Sequence, residues 1–268
     1  MKIRNRAAQP PKKKCPSPEA RSAARREGPA FPMRINRYLA ERGFATRRAA
    51  DELIVQGRVS INGRRAALGD KVEESDTVDV RGAALASKNF VYAAYHKPQG
   101  VITHSPQEGE RDIREALANA RELRGTFPVG RLDKASHGLI LLTNDGRVTD
   151  RLLNPAFDHE KEYEVTTQEP LRPSFKERME AGVDIGGYVT RRCKVQILGG
   201  TTFRVTLGEG KKHQVRRMVS ALHNTVVDLK RVRILNLELG SLPEGQYRIL
   251  AGKELSVFLQ KLGLAEGV

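Results

Sequence analysis

The residues with the clearest chemical potential lie in one stretch, residues 129–146, which reads VGRLDKASHGLILLTNDG. Asp133 stands in a glycine-bounded loop between two hydrophobic segments, flanked by Arg131 and Lys134. Cations on both sides favour the ionised carboxylate, so Asp133 is a candidate catalytic group. An aspartate beside an arginine is more often half of a surface ion pair, and the spacing alone leaves both interpretations open.

Other common catalytic devices are missing from the sequence. The histidines show neither the His-Glu-x-x-His spacing nor a cysteine partnership that would indicate zinc. They are His96, His104, His137, His159, His213 and His223. Residues 208–211, Gly-Glu-Gly-Lys, lack the spacing and the Ser/Thr of a phosphate-binding loop, and neither a Gly-x-Ser-x-Gly elbow nor a dinucleotide fingerprint occurs. We therefore expect no metal and no cofactor.

Composition narrows the class of partner. The 268 residues are 39% hydrophobic, enough to fill a core, and carry a formal net charge of +15. This excess fits a polyphosphate partner such as RNA better than a small neutral substrate, although a merely soluble basic protein has the same balance. The two cysteines, Cys15 and Cys193, can build neither a disulfide framework nor a Cys-rich metal site. Without a signal-like or membrane-spanning stretch, we expect a cytoplasmic protein with no membrane contact.

Residues 1–32 form a basic tail. Nine Lys/Arg face only Glu19 and Glu27, so the tail carries +7 of the +15, and we expect it to be disordered. Such a tail can raise RNA affinity by counterion release, or it can be a solubilising extension without a specific role.

Residues 33–80 have the pattern of a compact module. Ile35, Tyr38 and Leu39 lie at helical spacing before Gly43, and Thr46 can cap a second helix that buries Ala50, Leu53 and Ile54. Asn62-Gly63 predicts a hairpin after a short strand, and Val78 and Val80 indicate another strand. The remaining surface is basic: Arg34, Arg37, Arg47, Arg48, Arg58, Arg64, Arg65 and Lys71.

The segment RINRYLAERGFATRRAADELIVQGRVSINGRRA, followed by LGDKVEESDTVDV, resembles the S4-like α-L RNA-binding domain first described in a small-subunit ribosomal protein. In that family the two helices present basic residues to a folded RNA backbone. The resemblance therefore implies RNA contacts for Arg34, Arg37, Arg47 and Arg48. Residues 81–89, which are small and polar, are expected to be a linker.

The larger domain, residues 90–262, is predicted to be α+β with a mainly antiparallel, twisted sheet flanked by helices. Alternation and turn signals predict strands at 90–96, 139–143, 160–167, 193–198 and 201–207. Helices are predicted at 147–153, 174–181, 211–223 and 253–262.

The loop GRLDKASHGL resembles the signature loop of pseudouridine synthases, specifically the RsuA/RluB/RluE/RluF family, which carries the ribosomal-type domain in front. Three further segments resemble motifs of this family: KPQGV at 97–101, KEYEV at 161–165 and LGEGKKHQVRRM at 207–218. The similarity covers about residues 33–262. GERDIREAL, DHEKEYEV and TRRCKVQ most resemble the RluF-like branch that acts on large-subunit rRNA, while His213 departs from the Asn-Arg-Gln form of that branch.

The resemblance implies a role for each matched residue. Asp133 attacks the bound nucleotide, Tyr163 stacks on the target base, and Arg216 pairs with Asp133. Isomerisation of uridine breaks a C–N bond and forms a C–C bond at the same carbon, so the base must be flipped out and yet retained, and a base stacked on an aromatic ring can still turn. The remaining RNA contacts implied are those of Arg131, Lys161, Leu207, His213, Gln214 and Arg217. Attack on the pyrimidine ring and attack on the sugar are both compatible with these residues.

The predicted function is isomerisation of a uridine in structured RNA, with 23S (large-subunit) rRNA as the expected substrate. Small-subunit rRNA and tRNA stay open as substrates. A ribosome-assembly or RNA-binding factor without catalysis is the alternative from another class, but pure binding gains nothing from a carboxylate held against RNA. A hydrolase that uses the same aspartate would need a water-activating base, for which Asp145 and His137 are the candidates.

Overall fold

The computed structural model describes residues 31–42, 44–45, 47–81, 90–104 and 107–264. Most of the predicted tail, most of the predicted linker, Gly43 and Thr46 lie outside these ranges. No helix in the described part of the chain has the length and apolarity to cross a membrane.

The front module contains two helices and short strands. In chain order they are β1 (Met33–Arg34), α1 (Ile35–Glu41), α2 (Arg47–Val55), β2 (Val59–Ile61), β3 (Arg64–Arg65), β4 (Lys71–Val72) and β5 (Val78–Val80). The helices bury Ile35, Leu39, Ala50 and Ile54 against β2, as the helical spacing predicts. Asn62 and Gly63 both have positive φ, 50° and 79°, the conformation of a two-residue type I′ hairpin, so that prediction is confirmed.

The larger domain begins at residue 90. Its strands are β6 (Tyr92–Lys97), β7 (Phe127–Val129), β8 (His137–Thr143), β9 (Lys161–Thr167), β10 (Lys194–Ile197), β11 (Thr202–Leu207), β12 (Val226–Ile234), β13 (Leu237–Glu238) and β14 (Tyr247–Ile249). Its α-helices among the described residues are α3 (Ile113–Ala116), α4 (Gly146–Leu153), α5 (Phe175–Ala181), α6 (Gln214–Ala221) and α7 (Gly252–Lys261).

The nine strands form one sheet with the central order β10-β11-β9-β12-β8-β6-β14, and β7 and β13 pair at its sides. Every pairing is antiparallel except that of β8 with β12, which confirms the predicted α+β class with a mainly antiparallel sheet. Helices α5 and α6 pack on the β9–β11 part, whereas α4 and α7 pack on the β8 part.

Strand β12 lies at the centre of the sheet, yet the sequence pattern did not predict it. Val226–Ile234 contains Asp228, Lys230, Arg231 and Arg233, so it has none of the apolar alternation that marks a core strand. Its pairing with β9 also contains two register shifts. The charged residues can occupy a central strand because one of them, Arg231, is buried at the candidate site and the others stay partly exposed.

The two parallel strands approach each other unusually closely at Gly138. Gly138 is registered with Arg231 and has a φ of 105°. A Cβ at Gly138 would lie 2.6 Å from the Arg231 amide nitrogen and closer still to its carbonyl oxygen. Only glycine fits here, and this contact extends β8 back to His137, two residues before its predicted start.

We expect Gly138→Ala to lower the free energy of unfolding by about 3 kcal/mol, because the new methyl group meets backbone and the residue keeps a positive φ. Urea unfolding measures this change. Gly125→Ala is the matched control, since Gly125 has a φ of 78° with no atom near its Cβ position. It should cost only about 1 kcal/mol. Equal losses in both variants would mean that the close approach does not constrain the sheet.

Candidate active site

The loop that carries Asp133 is fixed from both sides. The Thr103 hydroxyl donates to the Leu132 carbonyl oxygen at 2.9 Å and accepts from the Leu132 amide at 3.1 Å. The Gly100 amide donates to the Lys134 carbonyl oxygen at 2.8 Å. The loop is therefore bound to the segment that follows β6, and Asp133 is placed on rigid backbone with its side chain 36% exposed.

The structure corrects the expected ion pair between Arg216 and Asp133. Arg216 donates through Nη2 to the Ala135 carbonyl oxygen at 3.0 Å and to the Ser136 hydroxyl at 3.2 Å, and through Nη1 to the Val226 carbonyl oxygen at 3.3 Å. Arg216 thus holds the signature loop against the start of β12, because these carbonyl groups need donors where loop and strand meet.

Asp133 is instead paired with His213. The distance from His213 Nδ1 to Asp133 Oδ2 is 3.5 Å. His213 has a φ of 51° just before α6, so helix α6 begins three residues later than residue 211, its predicted start. His213, where the sequence differs from the Asn-Arg-Gln form of the RluF-like branch, therefore places its imidazole beside the candidate nucleophile Asp133.

Tyr163 lies in the middle of β9, between Val205 of β11 and Arg231 of β12. Because side chains alternate along a strand, Lys161 and Tyr163 face the same side of the sheet. Leu207 is opposite Lys161 and is buried, so it supplies apolar surface beside the ring. Tyr163, Lys161, Leu207 and Arg231 therefore share one face, which is the face that α6 covers.

Three buried or half-buried cations, Lys97, Lys161 and Arg231, lie close to one another, and Lys97 interacts electrostatically with Asp133. Of the three, only Lys161 is a site residue predicted from the sequence. Lys97 is fully buried and donates to the carbonyl oxygens of Pro98 and Val101 at 2.8 and 2.7 Å. Arg231 is 3% exposed and donates from Nε to the Leu139 carbonyl oxygen at 2.6 Å, while its Nη2 has no hydrogen-bond partner among the described residues. No sequence signal marks Arg231, since its strand looks polar.

Burial lowers the pKa of both lysines. Desolvation lowers the pKa of Lys97 from 10.5 to about 8; the Asp133 carboxylate opposes this shift, and Arg231 adds to it. Desolvation lowers the pKa of Lys161 from 10.5 to about 8, with Arg231 again contributing. Keeping these two lysines positively charged beside Arg231 therefore costs free energy. An anionic ligand bound at the site would offset part of this cost.

Two other predicted RNA contacts are engaged within the protein. Gln214 is buried; its Nε2 donates to Glu209 Oε1 at 2.8 Å, and its Oε1 accepts from the Lys211 amide at 2.8 Å. This corrects the expectation that Gln214 faces RNA, because the buried Glu209 carboxylate requires its donors inside the fold. Arg217 is exposed, but its guanidinium donates to the Ile185 carbonyl oxygen.

The two candidate water-activating bases are also committed elsewhere. Asp145 is fully buried, accepts from the Tyr92 hydroxyl at 2.8 Å and pairs with Arg147 at 2.9 Å. His137 contacts the Asp228 carboxylate at 3.1 Å. The contacts of both side chains are thus with residues other than Asp133, so neither of these two candidates supports the hydrolase alternative.

A cavity of about 870 Å³ lies between the front module and the larger domain. Six arginines line it: Arg37, Arg47, Arg48, Arg114, Arg124 and Arg131. Glu41 and Asp150 are its acidic residues, and Leu123, Phe127 and Leu153 contribute apolar wall. The cavity thus joins three module arginines to Arg131 of the signature loop, whereas Arg34 is exposed on β1 and does not line it.

A family model described as RNA pseudouridylate synthase matches residues 91–221, and an S4 domain model matches residues 33–78. The dual-specificity RNA pseudouridine synthase RluF of Escherichia coli K12 is 41% identical over 230 residues, which cover 85% of this chain and 78% of the relative. The ribosomal large subunit pseudouridine synthase B of Bacillus subtilis is 32% identical, with 83% of this chain and 93% of the relative covered.

A solved structure has the same fold. It is described as the crystal structure of a pseudouridylate synthase, and it superposes with a TM-score of 0.61 at 30% sequence identity. The similarity covers 86% of this chain and 99% of the solved chain.

The lysine pKa shifts predict how stability depends on pH. Between pH about 8 and about 9 the unfolded chain binds more protons on these two lysines than the folded chain does, so the free energy of unfolding should rise with pH in this window. Above about pH 9 the raised pKa of the buried Cys193 thiol opposes this trend, because the folded chain then keeps a proton that the unfolded chain loses. Lys161→Met removes one of the two lysines and should reduce the slope to about half. Urea unfolding at several pH values measures it. Lys194→Met, which changes a lysine with an 85% exposed side chain, should leave the slope unchanged. An unchanged slope in Lys161→Met would contradict the burial of its ammonium group.

Proposed function

This chain belongs to the family of RNA pseudouridylate synthases, and we propose that it isomerises a specific uridine of 23S (large-subunit) ribosomal RNA with Asp133 as the nucleophile. The family resemblance, the RluF-like branch, the S4 domain and the enzyme class predicted from the motifs are confirmed by the similarities above. The nucleophile and the substrate RNA are the parts of this conclusion that are proposals.

The observation that carries the proposal is the placement of Asp133. Its carboxylate is partly exposed on a loop held by Thr103, Gly100 and Arg216, at the end of β8 that lies beside Arg231. Tyr163 is the cross-strand neighbour of Arg231 on β12. A carboxylate, an aromatic ring and buried cations thus meet at one end of the sheet, which is what a flipped nucleotide requires.

Isomerisation of uridine needs a nucleophile and a support for the base, and it involves no change of oxidation state. The C1′–N1 bond of uridine breaks, a C1′–C5 bond forms, the proton on C5 leaves and N1 gains a proton, so substrate and product have the same composition. Asp133 holds the fragment that would otherwise escape, and Tyr163 supports the base while it turns. Lys97 lies close enough to Asp133 for their opposite charges to attract each other. We propose that no cofactor takes part.

Large-subunit rRNA is the proposed substrate because of the RluF-like motifs and because the Bacillus subtilis relative is a ribosomal large subunit pseudouridine synthase. The test is to incubate the protein with unmodified large-subunit rRNA, small-subunit rRNA and tRNA transcripts of the source organism and to map pseudouridine by carbodiimide primer extension. Modification at one site of the large-subunit transcript supports the proposal, whereas modification confined to another RNA rejects this substrate.

We expect Asp133→Asn to lower single-turnover tritium release from 5-tritiated uridine in RNA at least about 1000-fold, because the nucleophile is lost. The dissociation constant for RNA should change less than about threefold, since the amide is isosteric with the carboxylate. Asp184→Asn is the matched control, because Asp184 only accepts the amides of Gly186 and Gly187, which an asparagine oxygen can also accept. Turnover of Asp133→Asn near that of Asp184→Asn would remove Asp133 from the mechanism.

The cavity is proposed to contact RNA phosphates. Arg47→Gln combined with Arg48→Gln should weaken RNA binding about 10-fold near 0.1 M salt and reduce the slope of log affinity against log salt by about 1.5, because two phosphate contacts are lost. Filter binding over a salt series measures both effects. Arg172→Gln combined with Arg178→Gln removes the same charge from residues that do not line the cavity, and it should change the slope much less. Identical slopes in the two double variants would show that only net charge matters.

A further inference from the structure

Two buried histidines and a half-exposed glutamate meet where β6, β8 and the loop before β14 come together. His96 lies near the end of β6, His137 begins β8, and Glu244 lies in the loop before β14. The histidines are 4% and 9% exposed, and their rings stack with centroids 5.7 Å apart. They are 41 residues apart in the chain, so the spacing along the sequence, which predicts no metal site, does not reveal the cluster.

The outer nitrogen of each ring is already used as a donor. His96 Nδ1 lies 2.7 Å from the Leu242 carbonyl oxygen, which can only accept, so this nitrogen carries the proton. His137 Nε2 lies 3.1 Å from both oxygens of the Asp228 carboxylate, which also only accepts. In their neutral form, both imidazoles therefore turn an unprotonated nitrogen towards the centre of the cluster.

Three acceptor atoms then face one another. His96 Nε2 is 3.4 Å from His137 Nδ1, and Glu244 Oε1 is 2.9 Å from His137 Nδ1 and 3.8 Å from His96 Nε2. Lone pairs converging in this way repel unless a cation lies between them. We propose that this cluster binds a divalent transition-metal ion, with Zn²⁺ as the natural occupant.

The geometry fits zinc. The three separations bracket the roughly 3.4 Å expected between ligand atoms of a tetrahedral zinc site, so a point about 2.1 Å from all three atoms exists. Two imidazole nitrogens and one carboxylate oxygen suit zinc rather than magnesium or calcium. In zinc proteins, the second ring nitrogen of a ligand histidine usually donates to a carbonyl oxygen or a carboxylate, which orients the ring. The Leu242 carbonyl and the Asp228 carboxylate have this role for His96 and His137. The half-exposed Glu244 side chain leaves a fourth position for water.

The site would connect three parts of the larger domain. It joins the end of β6, the start of β8 and the loop before β14, and His137 directly follows Ser136, which accepts a hydrogen bond from Arg216. Zinc here would stabilise the backbone that leads out of the signature loop. It takes no part in the proposed isomerisation.

The test measures metal binding directly. Untagged full-length protein is stripped with chelator, equilibrated with Zn²⁺, desalted and analysed by plasma mass spectrometry, and Co²⁺ is used in parallel for its visible absorption. Wild type should retain about one Zn²⁺ per chain and give the intense bands of tetrahedral Co²⁺. His137→Gln and Glu244→Gln should lose this ion, and Asp228→Asn should weaken binding by about 10- to 100-fold. His223→Asn, an exposed histidine with a φ of 61° that asparagine tolerates, should bind as wild type does.

The Glu244→Gln variant is expected to fold as wild type does, because the side chain is half exposed and glutamine is isosteric with glutamate. Loss of zinc from this variant is therefore not explained by misfolding. If wild type retains no zinc above the Glu244→Gln level, the cluster holds a proton on His137 instead, shared with Glu244, and the metal proposal is wrong. Equal retention by wild type and His137→Gln would place the ion elsewhere and also overturn it.

Discussion

The close parallel contact of β8 and β12 is the constraint on which the site depends. Because Gly138 has no side chain, the backbone of Arg231 can approach it, and the two strands join halves of the sheet that otherwise pair antiparallel. This contact sets where the signature loop ends and buries Arg231 behind it. Tyr163 then follows by register from the other side of β12.

The close contact of β8 and β12 also has an electrostatic consequence, because it buries cationic side chains. Lys97 and Lys161 have lowered pKa values because they are removed from water and lie near Arg231. Such groups cost stability in the free protein, and an anionic ligand offsets part of that cost. The proposed nucleotide site is thus preorganised at the expense of the stability of the fold.

The proposed RNA contacts lie on two surfaces that the tertiary structure joins. Helix α1 packs on the start of α4, where a Cβ at Gly146 would lie 3.7 Å from the Ala40 Cβ. This packing brings Arg47 and Arg48 to the same cavity as Arg131. In the proposed function, phosphates bound by the module fix the register of the RNA relative to the loop of Asp133.

The sequence by itself determined the features that depend on short stretches of chain. The helices of the module, the Asn62-Gly63 hairpin and the glycine-bounded loop of Asp133 follow from local periodicity and turn chemistry, and the linear motifs were enough to identify the family. Only the tertiary structure decided the place of β12, since its polar residues lack the alternation of a core strand.

The tertiary structure also decided the partners of the site residues. Arg216 binds backbone and Gln214 is buried, because donors go to the nearest unsatisfied acceptors, and these come from distant parts of the chain. The His96–His137 cluster exists for the same reason. Hydrogen-bond partners are set by strand register and loop packing, which depend on contacts across the whole fold and leave no trace in local spacing.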